Sequence, residues 1–138
     1  MSEQNDWNKK IIDEFRANDG VVGGFFEGSQ LLLLHTKGAR TGLARINPLI
    51  TMPHDSNYVV IASKAGAPSH PDWYYNLVAN QDVEVEVGTE RYAAKAIVCE
   101  EPQRTELYNQ MAERFTLFKE YAEKAGRTIP VIVLERTT

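Results

Sequence analysis

Four basic side chains stand close together in a chain that is otherwise acidic. The bases are Lys37, Arg40, Arg45 and Lys64. Between Leu31 and His70 there is only one acid, Asp55, so this basic window carries a net charge of +3, whereas the whole chain carries −4. A basic segment in an acidic protein suits a site for a small polyanion, because it attracts an anionic ligand to one place on the surface. The alternative is that these bases are solvated charges scattered over two hairpins.

Residues that bend the backbone lie beside these bases. Gly38 and Gly42 flank Arg40 in a turn-forming segment. Glycines at these positions would let backbone N–H groups approach phosphate oxygens, while Arg40 and Arg45 would add charge-assisted hydrogen bonds. Taken singly, each glycine is explained equally well by an ordinary hairpin turn.

Other familiar kinds of site are missing from the sequence. His35, His54 and His70 lie in separate segments without the spacing of metal ligands, so we predict no metal site. The chain has no Walker loop, no GxGxxG and no GxSxG motif. Cationic groups and hydrogen-bond donors without a nucleophile suit a protein whose cofactor carries the reaction, while the protein supplies placement and electrostatics.

The composition indicates one globular domain. A length of 138 residues, 43% of them hydrophobic, is enough to bury a core but short for two domains. The net charge of −4 argues against a general nucleic-acid binder, which needs a broad basic face. A single cysteine, a polar N-terminus and no apolar run of about 20 residues predict a cytoplasmic protein.

The N-terminal region has the pattern of an amphipathic helix. Trp7, Ile11, Ile12 and Phe15 recur at helical spacing, which predicts a helix over about residues 5–18. A glycine-rich connector follows, so we expect residues 1–28 to be a helix with its connector and residues 29–138 to be a single cofactor-binding domain. We expect the helix to pack on that domain. The alternative is peripheral contact with the inner face of a membrane.

The rest of the chain predicts about six strands with flanking helices. Hairpin-type turns connect the first three strands, and alternating valines mark the fourth. A short helix begins near Pro71-Asp72, and a helical stretch begins at Pro102. These elements imply an α+β domain around a mostly antiparallel sheet, and closure into a small barrel would remove exposed edges. The predicted strands cover residues 29–36, 43–52, 58–63, 83–87, about 90–98 and 131–135.

Five short blocks of the sequence lie in a definite order. They are TKGARTG at residues 36–42, RINPL at 45–49, ASKAGAP at 62–68, HPDWYYNL at 70–77 and RTIPV at 127–131. Together they resemble the deazaflavin-dependent nitroreductase family over residues 30–134. The resemblance implies a split β-barrel related to flavin-binding and pyridoxamine-phosphate-oxidase-like domains. It also implies coenzyme F420, a two-electron hydride carrier with which family members reduce quinones and, in some cases, nitroimidazoles.

The same resemblance assigns cofactor-binding roles. The residues implied to hold the coenzyme phosphate are Arg40, Thr41 and Gly42, aided by Arg45 and Lys64. Apart from the resemblance, Lys37 is expected to reach the same phosphate from across the turn. Those implied to line the ring are Asn47, Pro48, Ala62 and Ser63, with Trp73 and Asn76 completing the pocket. For Trp73 the alternative is a core aromatic that anchors its helix. The sequence departs from the family pattern at Ala39, where members commonly carry the first of two bases.

The residues expected to bind the electron acceptor depart from the family pattern as well. Phe115, Phe118 and Tyr121 occupy positions where nitroimidazole-reducing members carry three tyrosines, so these three are the expected substrate-binding residues. With one hydroxyl remaining, the site would favour a flat apolar quinone over a nitroimidazole. Tyr121 and Ser63 are the expected catalytic residues, as proton donors alongside water. The alternative is that the two phenylalanines belong to a buried helical stripe, whose members recur every three or four residues: Tyr108, Met111, Phe115, Phe118 and Ala122.

The resulting hypothesis is an F420-dependent oxidoreductase that transfers a hydride to an organic acceptor, a quinone in the first place and nitroaromatics in the second. The expected partner is this small-molecule acceptor, and the expected state is a monomer, with a dimer as the alternative. Two other functions stay open at this point. One is a related split-barrel enzyme that uses FMN, and the other is a non-catalytic carrier of an anionic ligand.

Overall fold

A computed structural model describes residues 3–137 of the chain, so the outermost residues of the two expected segments, 1–2 and 138, lie outside the described part. Its strands are β1 Leu31–Lys37, β2 Ala44–Ile50, β3 Met52–His54, β4 Asn57–Ile61, β5 Asp82–Val87, β6 Glu90–Val98 and β7 Val131–Arg136. Its helices are α1 Glu3–Ala17, α2 Asp72–Ala79, α3 Gln103–Arg114 and α4 Leu117–Ala125, with short 3-10 turns at Gly24–Phe26 and Lys64–Gly66.

The strands form one antiparallel sheet in the order β2-β1-β5-β6-β7-β4-β3. This confirms the predicted α+β class and antiparallel sheet. The predicted number of about six strands is wrong, because seven strands are found in the described part of the chain. The difference arises where the single strand predicted over residues 43–52 bends at Thr51 and becomes two.

Thr51 joins the two edges of the sheet. It is fully buried, its N–H donates to Gln30 O at 2.9 Å, and its Oγ1 donates to Val59 O at 2.7 Å. The strands on either side of it, β2 and β3, are the outermost strands of the sheet. Since one residue connects them, the sheet must curl until its edges meet, which closes most of a barrel.

The four consecutive leucines at the start of the sheet are buried on both faces, as predicted. Leu32 and Leu34 belong to the cluster inside the barrel, and Leu31 and Leu33 belong to a cluster outside it. None of the four is more than 2% exposed. Successive side chains of a strand point to opposite faces, so a strand with apolar layers on both sides needs this unbroken run.

Helix α1 covers the outer face of β1 and β2, which confirms the prediction that it packs on the domain. Phe15 is 1% exposed in the outer cluster, and Ile11 packs against the same cluster. Arg16 Nη2 donates to Glu86 Oε2 at 2.8 Å, and His35 Nε2 lies 2.6 Å from the same oxygen. The hydrogen bond from Arg16 is the main reason that the pKa of Glu86 is lowered. No helix within residues 3–137 is long and apolar enough to cross a membrane.

Two helices replace the single helical stripe expected after Pro102. The chain leaves helical geometry at Phe115, so α3 ends at Arg114 and α4 begins at Leu117. Tyr108, Met111 and Phe118 are buried against the outer face of the sheet, as that stripe predicts. Ala122, also expected in the stripe, is exposed because the break changes the helical phase.

Candidate functional site

An open groove of about 600 Å³ lies between the β1–β2 turn and α2. Two arginines line it, Arg40 from the turn and Arg45 from β2, together with one acid, Asp72. Neither guanidinium makes a hydrogen bond or an ion pair with any residue that the structure describes. The groove therefore offers two available cations to an anionic ligand. Its full lining is Gly38, Ala39, Arg40, Thr41, Arg45, Asp72, Tyr75 and Asn76.

The β1–β2 turn is tight and depends on its glycines. Gly38 N donates to Leu43 O, and Gly42 N donates to Gly38 O, both at 2.8 Å. A Cβ at Gly38 would lie 2.7 Å from Thr41 Oγ1, and Gly42 has a φ of +70°, so both positions favour glycine. The hairpin explanation therefore accounts for both residues. Within the described chain the N–H groups of Arg40 and Thr41 have no hydrogen-bond acceptor, so the same turn also leaves two amides available.

Asn76 attaches this turn to α2. Its Oδ1 accepts a hydrogen bond from the Ala39 N–H at 2.9 Å, and its Nδ2 donates to Thr36 Oγ1 at 3.3 Å. Asn76 is only 7% exposed, and Trp73 and Leu77 share its buried face of the helix. Because both ends of the amide are engaged, Asn76 fixes the wall of the groove.

A second feature, the turn at residues 63–66, follows β4. Lys64, Ala65 and Gly66 have φ values of +49°, +54° and +81°, while Ser63 is right-handed at φ −82°. A right-handed residue followed by a left-handed one directs successive N–H groups into a concavity that receives an anion or a polarised oxygen. The N–H groups of Ser63, Lys64 and Ala65 donate to no atom of the described residues, and neither does Ser63 Oγ.

Helix α4 packs against this turn. A Cβ at Gly66 would lie 3.2 Å from Tyr121 Cα, so the backbones of the turn and of α4 nearly touch. Tyr121 is half-buried, with its ring centroid 5.9 Å from that of Phe118. The fold thus makes the turn at residues 63–66 a neighbour of Tyr121, although about 55 residues of chain separate them.

Arg127 holds the loop that begins at this turn, a role that the sequence analysis missed. Its Nη1 donates to His70 Nδ1 at 2.9 Å, and its other donors reach four backbone carbonyls. Burial, followed by the charge of Arg127, lowers the pKa of His70. Arg127 lies in the RTIPV block, but the sequence alone names no partner for it. The four carbonyls are Ala62 at 3.2 Å, Ser63 at 3.1 Å, Ala67 at 3.1 Å and Ser69 at 2.9 Å.

His70 connects the loop to the groove. Its ring centroid lies 4.7 Å from that of Tyr74 and 5.7 Å from that of Tyr75. Tyr75 is 48% exposed and lines the groove. His70 therefore links the loop that begins at residues 63–66 to Tyr75, a residue that lines the arginine groove.

The structure brings some of the sequence-predicted cofactor residues together and separates others. Arg40, Thr41, Arg45 and Asn76 all line the groove, and Gly42 closes its turn. Two of the predicted bases do not line it. Lys37 is exposed at the end of β1, and Lys64 Nζ donates to Ser69 Oγ at 3.3 Å. Two of the predicted ring-lining residues lie on opposite faces of the sheet. Asn47 is paired with Leu34 on the inner face of the barrel, whereas Pro48 is paired with Leu33 on the outer face.

Three other predicted residues are buried in the protein itself, as Ser63 also is at 7% exposed. Ala62 is fully buried, with its N–H donating to Pro130 O. Trp73 is 5% exposed inside the barrel, which favours the alternative that it anchors its helix. Phe118 is 4% exposed, which favours the core-stripe alternative, whereas Phe115 and Tyr121 are half-buried at its sides.

Comparison with known proteins identifies close relatives. The F420H(2)-dependent quinone reductase family matches residues 7–136. An F420H(2)-dependent quinone reductase of Mycobacterium tuberculosis (strain ATCC 25618 / H37Rv) is 36% identical over 126 residues, 88% of this chain and 85% of that protein. A solved F420-H2 dependent reductase, FDR-A, has a TM-score of 0.70 and 34% identity over 76% of this chain and 93% of its own.

A second solved structure, described as a domain-swapped dimer, covers 96% of this chain and 100% of its own, with a TM-score of 0.72 and 30% identity. A putative pyridoxamine 5'-phosphate oxidase of Listeria innocua, only 10% identical, has a TM-score of 0.57 over 99% of this chain and 95% of its own. Together with the curled antiparallel sheet, these similarities confirm the expected split β-barrel fold of the flavin-binding and pyridoxamine-phosphate-oxidase-like type.

Proposed function

Because the chain belongs to the F420H(2)-dependent quinone reductase family, we propose that it transfers a hydride from reduced coenzyme F420 to a quinone. The observation that carries the proposal is the groove in which Arg40 and Arg45 stand without partners in the described chain. Family membership does not favour the FMN alternative. Nitroaromatic acceptors remain a secondary proposal.

The groove fits the coenzyme's tail. Coenzyme F420 has a flat ring and a flexible tail with one phosphate and several glutamates, and such a polyanion needs cations that are not already paired. Arg40 and Arg45 are available, and the N–H groups of Arg40 and Thr41 add donors beside them. Charge-assisted hydrogen bonds of this type are the strong ones in proteins. We assign the phosphate to this groove.

The turn at residues 63–66 fits the polar edge of the ring. The oxygens at that edge of the ring are hydrogen-bond acceptors, and the amides of Ser63, Lys64 and Ala65 are donors arranged around a concavity. The Ser63 hydroxyl, unengaged by the described residues, can join them. The groove and the turn would then hold the coenzyme at two points, which fixes the orientation of the ring.

The protein's own contribution to the reaction is placement and a proton. When bound, the reduced coenzyme supplies the hydride. The chain orients the acceptor beside the ring through Phe115 and Tyr121, and exclusion of water from this contact lowers the barrier further. Tyr121 Oη or Ser63 Oγ donates a proton to the acceptor oxygen as negative charge develops there.

Titration of the purified protein with oxidised F420 and with FMN, side by side, tests the proposal. We expect saturable binding of F420, weak or no binding of FMN, and quinone-dependent oxidation of reduced F420. Tight binding of FMN with none of F420 would overturn the proposal in favour of the FMN enzyme. Binding of F420 without turnover on any quinone would support the carrier instead.

The expected monomer is tested by sedimentation of the same protein, with the domain-swapped dimer of the relative as the alternative state.

For peripheral membrane contact, Trp7 and Val21 are the large apolar side chains exposed among those described at residues 6–28, at 45% and 69%. We propose that a membrane contact, if formed, uses these two. Co-sedimentation of the protein with anionic vesicles, compared with Trp7→Ser, measures it.

A further inference from the structure

The turn at residues 63–66 is held in a conformation that its own residues disfavour. Lys64 and Ala65 have φ values of +49° and +54°, where the Cβ of an L-residue crowds the following carbonyl. Gly66 at +81° is the only residue of the three that tolerates this region without cost. Consecutive left-handed residues of this kind persist only where the surrounding structure over-determines them, and they cluster at functional sites.

The contacts within the turn are too few to hold it. Gly66 N donates to Ser63 O and Ala67 N donates to Lys64 O, both at 3.0 Å. These two bonds close the turn but do not attach it to the barrel. Gly66 packs on α4 near Tyr121 and Lys124, but within the described residues no hydrogen bond joins the turn to that helix.

Arg127 supplies the missing attachment. It donates to Ala62 O and Ser63 O before the turn, and to Ala67 O and Ser69 O after it. Its remaining bond, to His70 Nδ1, reaches the residue that stacks on Tyr74 and Tyr75. One guanidinium therefore ties both ends of the loop to each other and to the wall of the groove.

We propose that Arg127 is a positioning residue that holds the turn at residues 63–66 in its left-handed conformation and so presents the amides of Ser63, Lys64 and Ala65 to the coenzyme. The proposal rests on the proposed function, because the amides have a task only if the coenzyme ring binds there. Arg127 itself touches neither coenzyme nor acceptor. It acts through the backbone that it binds.

The geometry requires arginine rather than any cation. A guanidinium has five N–H donors in a rigid planar fork, and here its Nε, Nη1 and Nη2 atoms all have acceptors. A lysine has the same charge, but its three donors share one nitrogen and cannot span acceptors on both sides of the loop. Arg127→Lys therefore separates the fork geometry from the charge.

Amide hydrogen exchange in the ligand-free protein is the first test. In Arg127→Lys we expect the amides of Gly66 and Ala67, which close the turn, to exchange about tenfold faster than in the wild type. The matched control is Arg104→Lys, because Arg104 Nη1 also donates to a backbone carbonyl, Ile129 O at 2.9 Å, but does not contact the loop. We expect this control to leave both amides unchanged. Equal exchange in Arg127→Lys and the wild type overturns the proposal.

Steady-state kinetics give the second test. Displacing the ring lowers the rate of hydride transfer, so we expect kcat of Arg127→Lys to fall at least about tenfold, with a smaller change in KM for reduced F420. Arg104→Lys should keep its kcat. A rise in KM alone, or equal losses in the two variants, overturns the positioning role.

Ala65→Gly provides a rescue. Glycine adopts a positive φ without strain, so the double variant Arg127→Lys/Ala65→Gly should fold and recover part of the lost kcat, even if Arg127→Lys alone does not fold. A double variant that is unfolded, or no faster than the single one, overturns the proposal. Failure of the wild type to bind F420 would instead refute the proposed function, so the two failures are distinguishable.

Discussion

Replacing a groove arginine should weaken coenzyme binding by an amount that the structure allows us to bound. The groove is lined by Arg40, Arg45 and Asp72, so its local net charge is +1. Arg40→Gln reduces it to zero and removes a donor that has no other partner among the described residues. A hydrogen bond to a charged group contributes about 1.5–3 kcal/mol, which corresponds to a roughly 10- to 150-fold increase in Kd. Since Arg40 is exposed, we expect the lower part of this range.

A fluorescence titration with oxidised F420 at two salt concentrations measures the effect. We expect Kd to rise in Arg40→Gln and Arg45→Gln, and the salt dependence of binding to become weaker in both. Lys37→Gln is the matched control, because Lys37 belongs to the same basic window but does not line the groove. Asp72→Asn should act in the opposite direction and tighten binding, since Asp72 lines the same groove and its negative charge repels an anionic ligand.

Two results would refute this reasoning. Unchanged Kd in both arginine variants would mean that the phosphate binds elsewhere. An equal effect of Lys37→Gln would mean that the bases act only through the net charge of the surface and that the groove has no special role.

Three further predictions follow from particular contacts. Tyr121→Phe should lower quinone reduction roughly 10- to 100-fold without changing the Kd for F420; equal turnover would remove Tyr121 as the proton donor. The pKa of His70 is lowered from 6.5 in the folded protein, so near that pH the unfolded chain binds more protons than the folded one. The free energy of unfolding should therefore be highest above pH 6.5 and decrease as the pH falls below it. Urea denaturation of the wild type and His70→Gln measures this, and an identical pH dependence in both would contradict it. Thr51→Val should lower the free energy of unfolding by about 1–2 kcal/mol, because it removes the buried hydroxyl that donates to Val59 O. Chemical denaturation measures this against the exposed control Thr89→Val, and equal stabilities of the two variants would exclude a role for this bond.

The parts of the fold that depend on local periodicity were predictable from the sequence. The four leucines of β1 and the alternation of Val83 and Val85 in β5 both match the observed burial. The bend at Thr51 was not predictable, because the residue of this segment that disfavours a strand, Pro48, lies inside β2 and not at the bend. It is imposed by acceptors at Gln30 and Val59, which the fold alone brings to it.

The candidate site was predictable to a similar extent. The turn around Arg40 and the start of α2 are marked by local chemistry and by the family blocks, and the structure brings both to one groove. The role of Arg127 was not visible, because its acceptors lie about 60 residues earlier in the chain. Asn76 was predicted to complete the pocket and does line the groove, but its hydrogen bonds to Ala39 and Thr36 could not be predicted from the sequence.

The position of β7 has a consequence for how the protein is made. β7 lies between β6 and β4, yet the ribosome synthesises it after both. Until it emerges, β2-β1-β5-β6 and β4-β3 are linked by the chain at Thr51 and through α2 but lack the strand that pairs with both, and the strand edges that β7 will cover can pair with other chains. Arg127 comes four residues before the start of β7, so the turn that it fixes is also completed late. We therefore expect truncated or still-growing chains to aggregate rather than capture coenzyme, so that coenzyme retention reports a finished polypeptide.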